Sequence, residues 1–373
     1  MMKTKHNTKS SVLILLSSLI LTLSCNKTKE DNLVYIFPEQ EMTASDFIDQ
    51  SRYVQLETTD ACILSTIDAI RQYKDMIAIL SDRKIFLFTS QGKFLTKIDR
   101  LGNGSEEYNT INDFQIYDDN VYVLSGIQNK LLEYTLEGSY KDTYALDDSY
   151  RHFVFTGKDR IVLSSEDNND KHYNFVYYDL GERKVGASVD RFEKNQAYSF
   201  TKHNVFLNSD SSLLVCHPFD YSVYSLEGDQ IIREVEFAFD TPDQLPTGEK
   251  SYIEIDEETR YASVVRFLQA YSKIGNIRYL VYPLFGENGL KTCITRIEKD
   301  GTNRTVKIGK EKDDEFPYFF MGDFLSLQSD QLVLSVDASK LLELEKENNM
   351  SYFTESGLDD EDNPIIFFYS LKK

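Results

Sequence analysis

Six times along the chain a turn-forming residue is followed by an apolar run. Asp75 precedes the run 77–80, Asp119 the run 121–124, Asp159 the run 161–163, Asp210 the run 213–216, Asn276 the run 279–282 and Asp330 the run 332–334. Asp and Asn suit tight turns because their short side chains bond nearby backbone and tolerate left-handed conformations. The runs are apolar on consecutive residues rather than alternate ones, so each predicts a strand covered on both faces. A second apolar or aromatic strand follows and ends in a glycine turn: Gly92 after 86–88, Gly138 after 131–134, Gly181 after 175–178, Gly228 after 223–224 and Gly301 after 293–297. Glycine permits the positive φ that hairpin turns require. A further strand follows, as in residues 94–98.

The turn residues are spaced by 44, 40, 51, 66 and 54 residues, within and somewhat above the periods of propeller blades. In a propeller each blade is sandwiched between two neighbours, which supplies the two-sided cover. The sixth copy ends with the run 365–369 close to Lys373, one strand short, while residues 53–58 form a lone alternating strand upstream of the first turn. Ring closure solves both problems, because the N-terminal strand completes the last blade and removes an open edge. The expected fold class is all-β: a six-bladed β-propeller of four-stranded blades, with a β-sandwich or solenoid as the alternative. Two excursions interrupt the repeat. Residues 240–260 are a polar connection with Pro242, Pro246 and seven acidic residues, and residues 337–362 begin as a helix over 338–348 and end in the acidic loop 359–362. Long loops on a rigid scaffold are where binding tends to reside; solvated padding is the plainer reading.

The first residues carry a different pattern. Lys3, Lys5 and Lys9 precede a 12-residue apolar stretch, Val12 to Leu23, and Ser24-Cys25 follows at once. That order predicts a signal peptide, since twelve helical residues rise only about 18 Å against a hydrocarbon core of about 30 Å. Residues 1–24 are read as the leader, 25–50 as a modified cysteine with its tether, and 51–373 as the propeller. Losing the leader would leave 38 Lys plus Arg against 61 Asp plus Glu, a charge of −23. So acidic a surface repels phosphates, and no nucleic-acid role is expected.

The small residue before Cys25 resembles a bacterial lipobox, which implies lipidation of Cys25 and membrane attachment through it. Lys29-Glu30-Asp31 resembles the surface-export signal of some Gram-negative lipoproteins, which implies an outer-membrane lipoprotein displayed at the cell surface. Cys62, Cys216 and Cys293 remain, an odd number in apolar surroundings, and are read as small buried hydrophobes.

The chain as a whole resembles the six-bladed β-propeller lipoproteins of Gram-negative gut-type bacteria, which are related in pattern to NHL-repeat propellers. The resemblance is carried by residues 53–59, by 67–80, and by Gly102, Gly104, Glu107 and Tyr108 ahead of 111–114. The family pattern Gly-x-Gly-Pro-Gly-Glu-Tyr is kept here except that Ser105-Glu106 stand for Pro-Gly. It implies fold and location more than activity.

No histidine pair has metal-ligand spacing among His152, His172, His203 and His217, and the acidic runs 311–315 and 359–362 lack the alternating order of a calcium loop. No cofactor is expected, with a structural calcium left open. Aligning the innermost strand of each blade by its turn places Asp68, Asp113, Arg151, His152, Lys202, His203, Arg266 and Asp323 at the channel mouth. Mixed charges on one axis make a polar funnel that holds a small ligand or simply neutralises itself. Forty-eight Phe and Tyr residues could stack on sugars, although their strand positions favour core packing and Trp is absent. The leading expectation is a monomeric, lipid-anchored propeller that binds a protein partner or glycan, rather than an enzyme. A lactonase or lyase acting at the channel mouth and an accessory subunit of an outer-membrane complex are the alternatives.

Overall fold

The computed structural model describes residues 33–165, 173–191, 205–207, 212–228, 230–246, 250, 252–286, 289–309 and 315–373. The leader, Cys25, Lys202, His203 and the turn at Asp210 lie outside the described residues.

Six antiparallel sheets follow one another along the chain. Blade 1 consists of Ala69–Tyr73, Met76–Ser81, Lys84–Thr89 and Phe94–Ile98, and blade 2 of Asp113–Tyr117, Asn120–Ser125, Lys130–Thr135 and Tyr140–Ala145. Blade 3 is Tyr150–Gly157, Arg160–Ser165, Tyr173–Asp179 and Lys184–Arg191; blade 4 is Phe206–Leu207, Leu214–Val215, Ser222–Glu227 and Gln230–Phe239. Blade 5 is Ala270–Ile274, Ile277–Leu284, Lys291–Ile297 and Asn303–Lys307. Blade 6 takes Asp323–Gln328, Gln331–Val336 and Ile365–Leu371 from the end of the chain and Ile48–Val54 from its beginning. The first strand of each blade packs against the first strands of both neighbours, so six inner strands close a ring. The protein is a six-bladed β-propeller.

Blade 1 shows why consecutive apolar residues were required. Ile77, Ile79, Phe86 and Phe88 pack with Val333, Ile366 and Phe368 of blade 6. The intervening Ala78, Leu80, Ile85 and Leu87 pack with Phe114, Val121, Val123 and Leu132 of blade 2. Each buried Ile, Leu, Val or Phe among them contributes about 1.5–3 kcal/mol. At the turns the positive φ falls one residue ahead of the expected position, on Lys74, Gly275 and Ser329, and on both Asp118 and Asp119. Gly92, Gly138, Gly228 and Gly301 have the expected positive φ, whereas in blade 3 Arg183 rather than Gly181 takes it.

Ring closure comes from the N-terminal strand as expected, but that strand is Ile48–Val54 and shares only Tyr53 and Val54 with residues 53–58. It pairs antiparallel with Ile365–Leu371, Tyr53 opposite Phe367 and Val54 opposite Ile366. The alternation seen in the sequence continues, since Val54 and Leu56 are both buried. The ladder nevertheless stops at Val54, because the chain beyond turns towards blade 1. There Glu57 N–H donates to Gly92 O at 2.8 Å and the Glu57 carboxylate accepts Phe94 N–H at 3.0 Å.

Residues 33–47, assigned above to a tether, form a strap along the outer edges of the blades. Leu33–Ile36 adds a fifth, parallel strand to blade 4, burying Val34 and Ile36. Its far edge is closed by Asn303 of blade 5, whose Oδ1 accepts Phe37 N–H at 3.1 Å and whose Nδ2 donates to Tyr35 O at 2.6 Å. The strap then bonds blade 5, with Thr305 N–H to Gln40 O at 2.7 Å and Met42 N–H to Thr305 O at 3.0 Å. The short helix Ala44–Phe47 leads from there into blade 6.

The second excursion is folded onto the blades. Its helix Ala338–Asn348 buries Leu341 in the core shared by blades 5 and 6, and Glu345 caps the next helix, Tyr352–Glu355, by accepting N–H from Phe353 at 2.7 Å and Thr354 at 2.9 Å. The first excursion contains the helix Tyr252–Thr259. The three remaining cysteines are buried and unbridged; Cys62 sits in a turn, and burial pushes the Cys293 thiol up to about 12.

Candidate functional site

The strand register defines one level of the channel. Ala69 pairs with Leu80, Asp113 with Leu124, His152 with Ser164, Phe206 with Val215, Ala270 with Val281 and Asp323 with Ser335. Each partner stands five residues beyond its turn residue, so Ala69, Asp113, His152, Phe206, Ala270 and Asp323 are equivalent. Polar groups are therefore unequally distributed around the ring, with Asp113 and His152 on adjacent blades.

A cavity of about 290 Å³ lies at this level, with walls from blades 6, 1, 2 and 3. Asp68, Asp113 and His152 line it, together with Arg71, Arg83, Asn112 and apolar neighbours that include Leu325. Arg71 follows Ala69 by two residues along the inner strand, and Arg83 sits in the turn between the second and third strands.

Asp113 is the buried electrostatic centre. Its Oδ1 accepts from Arg71 Nη2 at 3.0 Å and from Phe114 N–H at 2.8 Å, and its Oδ2 accepts Phe153 N–H at 3.2 Å. His152 Nδ1 lies 3.8 Å from Oδ2, close enough for an ion pair when the imidazole is protonated. Burial by itself raises the Asp113 carboxyl; the facing His152, the Arg71 charge and the Phe153 N–H more than reverse this and hold it below its ordinary value. Three inner strands thus converge on one carboxylate, which is largely spent on internal contacts. Arg83, Asp68 and His152 remain as the groups a ligand can address.

A depressed carboxylate stabilises the folded state above its unfolded pKa, and that contribution disappears as pH falls through the folded one. Asp113→Asn should therefore cost about 2 kcal/mol at neutral pH, in line with losing charge-assisted hydrogen bonds. The gap from wild type should close below about pH 4. Urea unfolding of both proteins between pH 7 and pH 2 measures it, and a gap that is independent of pH would contradict the assignment.

Arg266, Asp323 and Arg151, the other candidates among the described residues, do not line this cavity. Arg266 is buried four residues before the inner strand of blade 5, outside this cavity. It donates to Asp256 Oδ1 and Thr259 O, both at 2.7 Å, and lies over the Phe285 ring, clamping the helix Tyr252–Thr259. Asp323 shares the register of Asp113 but is 75% exposed, with Lys340 Nζ of the blade 6 excursion 3.9 Å away. Arg151 is half-buried in blade 3 and does not line the cavity. Alignment by turn residue missed Arg71, Arg83 and Asn112. Arg71 was accessible from the period of two along the inner strand; Arg83 had no signal beyond its place in a turn. Among the described residues no three His, Cys, Asp or Glu side chains gather as a metal cluster.

Fold and cavity together define a propeller with a polar, arginine-lined pocket at one end of its axis. The chain belongs to the family described as a domain of unknown function, DUF4934, which matches residues 35–370. A Bacteroides fragilis protein provisionally named as exported is similar in structure, with a TM-score of 0.73 at 16% identity over 91% of this chain and 100% of that one. A member of the DUF4221 family from Bacteroides vulgatus is similar with a TM-score of 0.54 at 10% identity, over 87% and 97% of the two chains. At such identities the likeness shows the fold alone. No curated protein matches the chain.

Proposed function

We propose that the protein is a lipid-anchored binding module of the cell envelope, attached through Cys25, whose axial cavity receives one polar unit of a glycan or of a protein partner. The observation that carries this reading is the cavity itself. At about 290 Å³ it falls at the lower end of ligand sites, room for a terminal sugar or a side chain rather than a whole cofactor. Its walls offer Arg83, Asp68 and His152 around a carboxylate already committed to Arg71 and backbone. The leader, the Ser24-Cys25 junction and the exported name of the Bacteroides fragilis neighbour support an envelope address.

The test pairs a glycan array with a pull-down from envelope extract, using wild type and the double variant Arg83→Glu with His152→Ala. Capture at least tenfold weaker by the variant supports the cavity. Equal capture, or none by either, counts against it. The Asp113–His152 pair favours a second reading, in which a carboxylate-oriented imidazole serves as general base for a lactonase or lyase. Turnover of a small lactone panel that disappears in His152→Ala would favour that reading over the first.

A further inference from the structure

A second cavity, of about 450 Å³, opens where the strap crosses blade 5. One wall is Lys307, the last residue of Asn303–Lys307, which is only 7% exposed and donates to Glu39 Oε1 at 2.6 Å. Its counter-ion is in a different medium, for Glu39 on the strap is 76% exposed. A buried ammonium needs a negative partner, yet a carboxylate this solvated is held weakly and gives up little on leaving. Lys291 adds a second cation to the lining: Cys293 pairs directly with Lys307, and Lys291 is two residues from Cys293, on the same face of the sheet. The Phe285 side chain also lines the space. Tyr261 does so too, 85% exposed, more than any other large hydrophobic side chain among the described residues.

We propose that this cavity binds a carboxylate-bearing pyranose, a hexuronate, whose carboxylate takes the place of Glu39 on Lys307 and Lys291 while the sugar ring lies against Tyr261. Asp243 also lines the cavity, its Oδ2 already accepting Ser263 N–H at 2.7 Å, so once Glu39 is displaced two lysines face one engaged carboxylate and select the charge. The aromatic ring selects an apolar sugar face, and the volume admits a single residue of a polysaccharide. Glu39 acts as an internal competitor that keeps the lysine paired when the site is empty. This site is separate from the axial cavity and does not depend on it.

Calorimetric titration of the purified full chain with D-galacturonate and with D-galactose tests the proposal. Galacturonate should bind at least tenfold more tightly than galactose, and more weakly as sodium chloride is raised. Lys307→Met should lose at least tenfold in affinity. Glu39→Gln should gain several-fold, a result that a purely structural ion pair would not give. Since Glu39 is exposed, that variant keeps the test available even if Lys307→Met misfolds. Lys346→Met, which removes an exposed lysine on the helix Ala338–Asn348 away from both cavities, should leave galacturonate affinity unchanged. No saturable galacturonate binding, unchanged or weaker binding by Glu39→Gln, or loss of binding in Lys346→Met as large as in Lys307→Met would each overturn the assignment.

Discussion

Asn363→Leu is expected to lower the stability of the propeller by about 4 kcal/mol, since it strands several buried backbone groups at once. The Asn363 side chain is buried where the two ends of the chain meet. Its Oδ1 accepts Leu64 N–H at 2.8 Å, and its Nδ2 donates to Glu57 O and Cys62 O, both at 2.9 Å. Its own N–H donates to Thr58 Oγ1 at 2.9 Å. One amide thus organises the whole 57–64 turn from the far end of the sequence. Leucine matches the volume but satisfies none of the three partners, and each buried orphan costs about 1–3 kcal/mol. Urea unfolding at neutral pH measures the loss. A change under about 1 kcal/mol would mean that these backbone groups find other partners.

Gly92→Ala should cost about 3–5 kcal/mol, far more than the same change at Gly301. Both glycines occupy third-to-fourth-strand turns with nearly the same φ, +87° and +89°. A Cβ on Gly301 meets nothing within 4 Å, so that substitution should cost only about 1 kcal/mol of backbone strain. On Gly92 the added carbon would stand 2.0 Å from the Gln55 carbonyl oxygen and 2.9 Å from the Val54 side chain. The clash falls on backbone, at the point where blade 6 hands the chain to blade 1, so it is relieved only by parting Glu57 from Gly92. Thermal and urea denaturation of the two variants side by side isolate the closure seam from the intrinsic glycine effect. Equal losses would show that the seam yields.

The blades were legible because sandwiched strands cannot alternate: a consecutive apolar run such as 77–80 leaves few other places to put it. The helix over 338–348 was readable for a related reason, its apolar residues Leu341 and Leu344 being spaced for one buried face. The strap's strand Leu33–Ile36 was not, because Val34 and Ile36 are its only two buried positions, too few to distinguish a strand from a tether. The axial cavity was half visible. Alignment by turn residue found Asp113, His152 and Asp323, which do share a register, but Asp68 stands one place upstream of it and Arg266 four. A turn residue marks the start of a run and says nothing about where the preceding inner strand begins. Arg266 is a conspicuous charge in an apolar stretch, and its use as a helix clamp depends on Asp256 and Thr259, neither of which announces a partner in the sequence.

The strap also sets the order in which the molecule can be completed. Val34 pairs with Phe237, Phe37 is reached by Asn303 and Ser45 O by Lys372, so the strap finds its partners progressively later in the chain, the last of them at its very end. Contacts this distant in sequence make for slow folding. The ring therefore cannot lock until its last strand, Ile365–Leu371, is free to meet Ile48–Val54, so a chain lacking only its final ten residues keeps an open seam.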